Sequence, residues 1–158
     1  DPKAACEWLA ARGVVQPEVM LAAAGGQPQD TLQWVADGIS AALWTGLPQQ
    51  IARGEVGTLA GWPLPRVVEV LQKLCHDTMR AAAGAAPRYF PQASLTRPPP
   101  LPALTGWAKR LAELARSAEH PWNAGLMVES LVQEAREVLA SGRPSGRRGE
   151  RLSVHSNE

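Results

Sequence analysis

At 158 residues, 45% of them hydrophobic, the chain has room for one domain and a fraction with a sizeable core. A net charge of +1 with both signs interleaved argues against a dedicated nucleic-acid binder, and no apolar run reaches the roughly 20 residues of a membrane span. Ala and Leu dominate while Phe and Tyr occur once each, so strand-type runs are missing and the expected class is all-α. The chain opens on Asp1-Pro2-Lys3 with no Met and no signal peptide, as expected of a piece of a longer protein.

Asp1 is a candidate N-cap with Pro2 at the first helical position, Trp8 and Leu9 turned inward and Gly13 as the stop. Pro17 opens a second short helix bearing Val19, Met20, Leu21 and Ala24, and Gly25-Gly26 ends it. Pro28 opens a third, with Leu32, Val35 and Ala36 periodic and Gly38 at its end. From 39 to 53 the helical pattern returns through Ile39, Ala42, Leu43, Leu47 and Ile51. Pro48 removes a backbone donor there, so a break or kink is expected near 45–48. Residues 54–61 read as a single weak turn of helix.

The stretch 64–79, LPRVVEVLQKLCHDTM, organises the chain. Leu64, Val67, Val68, Leu71, Leu74, Cys75, Thr78 and Met79 fall on one helical stripe. Arg66, Glu69, Gln72, Lys73, His76, Asp77 and Arg80 take the other side. A helix this amphipathic needs covering by its neighbours. Residues 86–102 hold the run Pro98-Pro99-Pro100 before Pro102 and read as a loop over the bundle, anchored by Tyr89 and Phe90, with a PxxP ligand as the sharper alternative. A second strong helix covers 104–118 through Leu104, Trp107, Ala108, Leu111, Leu114, Ala115 and Ala118. A third covers 123–139 through Met127, Val128, Leu131, Val132, Ala135, Val138 and Leu139, with Asn123 as its candidate N-cap. Residues 141–158 are polar and Arg-rich and read as a disordered tail.

Enzyme signatures are missing from the sequence. It has no GxxxxGK[ST] loop, no GxSxG and no HExxH. Cys75 and His76 adjoin, but neighbours on a helix point about 100° apart and do not converge as nucleophile and base. His76, His120, His155, Cys6 and Cys75 lack metal-ligand spacing, and the two cysteines read as buried thiols in a reducing compartment. Of the six tryptophans most belong in a core, and one or two suit a partner surface. No catalytic, cofactor or metal site is expected.

Three stretches carry a resemblance: WLAARGVVQPEVMLAAAGGQPQDTLQ (8–33), IARGEV followed by LPRVVEVLQKLCHDTMR (51–56 and 64–80), and NAGLMVESLVQEAREVL (123–139). Their order resembles the C-terminal part of the delta-prime subunit family of the bacterial DNA polymerase III clamp loader. The resemblance implies an all-α helical bundle of clamp-loader collar type. Residues 1–38 would be the remnant of a helical lid domain, 39–140 the collar oligomerisation domain and 141–158 the tail. It implies a cytoplasmic, bacterial, non-catalytic chain that assembles with the delta and gamma/tau subunits to load the sliding clamp on primed DNA. DNA would be touched only indirectly, with no membrane, no cofactor and no small-molecule substrate. The arginine finger of that family lies in an N-terminal module that this sequence lacks. The expected partner face is Trp107, Arg110, Trp122, Met127 and Glu129, with Trp107 and Met127 as plain core residues the alternative. Alternatives are a gamma/tau-type collar, an unrelated helical partner- or ligand-binding domain, and a nucleic-acid contact through Arg143, Arg147, Arg148 and Arg151 of the tail.

Overall fold

Proline starts and glycine stops divide the first part of the chain into short helices. In the computed structural model, which describes residues 1–117 and 124–141, these are α1 (Pro2–Ala11), α2 (Pro17–Ala23) and α3 (Pro28–Ala36). Each has its proline in the first turn, and Asp1 caps α1 by accepting from the Lys3 N–H at 3.1 Å. Gly38 ends the third at φ +90°, a conformation that costs a side-chain-bearing residue most. The longer helices follow: α4 (Ala41–Ala52), α5 (Leu64–Ala82), α6 (Leu101–Ala115) and α7 (Ala124–Ala140). A 3-10 turn, Gln92–Ser94, is the one further helical element, and no strand occurs among the described residues. The fold is all-α.

The core is continuous from Leu9 in α1 to Leu139 in α7. Helix α5 lies in its middle, packed on α6 and α7, while α4 also packs on α7. The Cys75 thiol donates to the Leu104 carbonyl at 3.6 Å, and Leu111 shares a groove with Gln72, so α6 runs back antiparallel along α5. Trp34, Trp44 and Trp107 are buried, and Trp8 and Trp62 are half-buried. Among the described residues, no helix is long and apolar enough to cross a membrane.

Several expectations change. Helix α4 runs unbroken through Pro48, because Trp44, Leu47, Pro48 and Ile51 are all buried on one side and that burial outweighs one lost hydrogen bond. Residues 54–61 form turns rather than a helix, with one helical bond, Ala60 N–H to the Val56 carbonyl at 2.9 Å. Helix α6 begins three residues early, at Leu101, because Pro102 fits its first turn. Pro99 is buried and Leu101-Pro102 is helical, so the PxxP run does not present an exposed polyproline surface. Cys75 is buried, whereas Cys6 is half-buried; both are free thiols. Ala118, His120, Asn123, His155 and the tail after Ser141 lie outside the described residues.

Candidate functional site

The five residues expected at a partner face do not share one surface. Trp107 is fully buried in the core, since it sits on the same stripe of α6 as Leu104 and Leu111. That corrects its place as an exposed anchor. Its Nε1 has no acceptor among the described residues, a donor whose desolvation costs on the order of 1–3 kcal/mol. Arg110 is exposed, and its Nε donates to Glu134 Oε1 of α7 at 2.9 Å. Met127 is half-buried against the core on the side of α7 that also carries Leu131 and Glu134. Glu129 is exposed but five residues from Glu134, about 140° away around the helix. Trp122 lies outside the described residues. Arg110 and Met127 thus flank the α6–α7 seam, and Glu129 does not.

Polar chemistry concentrates instead on α5, at two residues the stripe had assigned to water. Asp77 is fully buried. Its Oδ1 accepts from the Arg88 N–H at 2.8 Å, and its Oδ2 accepts from those of Tyr89 at 2.9 Å and Phe90 at 2.7 Å. Three successive backbone donors converging on one carboxylate fix the loop after α5 to that helix. The loop is held from the other side by Trp44. Its Nε1 donates to the Tyr89 carbonyl at 3.0 Å, and its ring stacks on Phe90 with centroids 4.1 Å apart. The expected anchoring by Tyr89 and Phe90 is therefore present, and the helix residue that makes it possible is Asp77.

Lys73, one turn earlier, is also buried. Its Nζ donates to the Ala23 carbonyl at the end of α2 at 2.7 Å, meets Glu69 Oε1 at 3.1 Å and lies 4.2 Å from the centre of the Trp34 ring. Burial pushes its ammonium below the usual lysine range, and the Glu69 carboxylate works against that shift. Arg66 adds a second tie to the short helices through Asp37 Oδ2 at 3.1 Å. The signal for this row was in the sequence: Val70 shares its side of the helix with Lys73 and Asp77 and is itself buried. The buried arc of α5 is wider than the stripe because the helix is covered from two sides.

The row braces the helices and the loop. Asp77 is saturated by backbone donors and Lys73 by a carbonyl and a carboxylate. Cys75 turns away from His76 to Leu104, and burial raises its thiol to about 11, far from a nucleophile's range. His76 is exposed, with Nδ1 3.3 Å from Asp77 Oδ1 and its ring edge-on to Tyr89. No group of His, Cys, Asp and Glu able to hold a metal ion occurs among the described residues. A groove of about 710 Å³ lies between the α1–α2 turn, the end of α3 and the start of α4, and Val14, Val15, Met20, Val35 and Ile39 line it. Set beside known proteins, the chain matches no family model, no curated protein and no solved structure.

Proposed function

We propose that the chain is a structural module of a bacterial DNA polymerase III clamp loader. In this reading it is a lid remnant followed by a collar of delta-prime type, working in the cytoplasm. It assembles with delta and gamma/tau subunits and holds in place the modules whose ATP-driven motion opens the sliding clamp. It performs no chemistry itself and meets DNA only through the complex. One observation carries the reading. Three short helices are braced through Lys73 and Arg66 to long helices with a filled core, in the order in which the three resembling stretches occur. A gamma/tau-type collar has the same architecture and is the nearest variant of this reading.

The test is sedimentation of the chain with collar domains of delta and gamma/tau. A defined hetero-complex is expected, with Arg110→Glu weakening it at the α6–α7 seam. Absence of any complex, in a chain shown by circular dichroism to be helical, would sink the reading. A second reading, a helical ligand-binding domain, is favoured by the groove of about 710 Å³ with Val15 76% exposed on its wall. Saturable binding of an apolar dye, abolished by Val15→Asp with Val35→Asp, would favour it.

A further inference from the structure

Among the described residues, Gln16 is the one non-glycine at positive φ. It sits at φ 49° and ψ 60°, in the left-handed region that a side chain disfavours. Pro17 follows it, and a residue before proline prefers extended backbone, so the strain is twofold. Two bonds hold the conformation: the Gln16 carbonyl accepts from the Val19 N–H at 3.1 Å and from the Met20 N–H at 3.2 Å. Strained residues of this kind gather at ligand clamps and switch regions. This one stands on the rim of the groove between the α1–α2 turn, the end of α3 and the start of α4.

The turn buries Val14 and leaves Val15 exposed, and both line the groove. Met20 and Ile39, both buried, and Val35, exposed, add to its apolar wall. None of the described residues that line it is charged. Its polar side chains are Gln16, Ser40 and Thr45. Ser40 Oγ accepts from the Leu43 N–H at 3.1 Å, and the Thr45 hydroxyl donates to the Ala42 carbonyl at 3.2 Å. The Gln16 amide makes no hydrogen bond among the described residues. The charged residues next to the lining in sequence, Arg12, Glu18 and Asp37, are of both signs. Arg12 is stacked 3.6 Å from the centre of the Trp8 ring, and Asp37 is paired with Arg66. The negative ends of α1 and α3 and the positive end of α4 also meet here, so neither sign prevails.

We propose that this groove takes an uncharged small molecule, apolar along its body and carrying a single hydrogen-bonding head. The body rests on Val14, Val15, Met20, Val35 and Ile39, and the head meets the Gln16 amide. The volume of about 710 Å³ is that of a small-molecule site. Charge complementarity names the class of ligand. A carboxylate or ammonium head would lose water against walls that offer it no counter-ion, whereas a hydroxyl or carbonyl finds both a donor and an acceptor in the one amide. The inference rests on the ligand-binding reading of this groove and leaves the collar reading as it stands.

The experiment is a fluorescence titration of the full chain with Nile red, an uncharged apolar dye, followed by displacement with decanol, decanoate and decylammonium. The dye is expected to bind saturably, and decanol to displace it at a concentration about tenfold below either ion. Gln16→Gly keeps the left-handed turn without a side chain. It is expected to raise Tm, because the strain is gone, and to weaken decanol about fivefold, because the amide is gone. A dye that binds while decanoate or decylammonium competes as well as decanol overturns the inference and leaves the ligand-binding reading standing. So does a Gln16→Gly variant with unchanged decanol affinity. Dye binding that survives Val15→Asp with Val35→Asp, or no dye binding at all, overturns both. Both also fall if sedimentation shows a dimer whose formation excludes the dye, since the groove is then covered by a second copy.

Discussion

The short helices α1–α3 and the loop between α5 and α6 are both punctuated by proline, yet they are built in different ways. In α1–α3 each punctuating residue acts locally: proline supplies a first helical turn, and glycine accepts the conformation that ends it. In the loop, proline only forbids helix. Its shape comes from Asp77 and Trp44, side chains far back in the chain that hold backbone groups of 88–90. Local rules thus suffice for the first region, and long-range hydrogen bonds decide the second.

Removing the long-range tie should break that contrast most severely. Asp77→Ala leaves three N–H groups without their acceptor and should cost about 3 kcal/mol or more, read by urea unfolding. Limited proteolysis should then cut between 83 and 100 while α1–α3 stay resistant. Equal resistance of loop and helices in that variant would show that proline alone shapes the loop.

A smaller effect sharpens the comparison at the face of α5 that meets α6. The unfolded Cys75 thiol ionises near 9.0 and the folded one near about 11, so between those values the folded state keeps a proton that the unfolded state has lost. Its contribution to stability is full below 9.0 and is lost as pH rises through about 11. Lys73 works in the opposite direction. Burial lowers its value, so the unfolded state binds the extra proton and stability rises with pH toward the ordinary lysine value of 10.5. Cys75→Val should therefore lessen the alkaline loss of stability in thermal melts at stepped pH; an unchanged profile would mean that water reaches the thiol.

The smallest change belongs to the local region. Gly38→Ala places a side chain at φ +90° and should lower stability by about 1 kcal/mol, seen as a drop in Tm. No atom lies within 4 Å of the added carbon, so the loss would be conformational strain and not a clash. A neutral outcome would mean that the end of α3 can be remade without a left-handed residue.

The sequence by itself determined the helical class, the starts of α1, α2 and α3, and the apolar stripes of α5, α6 and α7. These depend on backbone chemistry and on a 3.6-residue period, both of which act within a few residues. It also singled out Tyr89 and Phe90 as anchors. Only the tertiary structure decided that Pro48 stays inside a helix and that Lys73 and Asp77 are buried. A periodic pattern gives the direction of a side chain but not what stands opposite it. For Asp77 that was a run of three backbone N–H groups, and for Lys73 the carbonyl at the end of α2, both brought near by contacts distant in sequence. Buried polar residues look like surface until their partners are in place, because water and a well-aimed backbone group satisfy the same atoms.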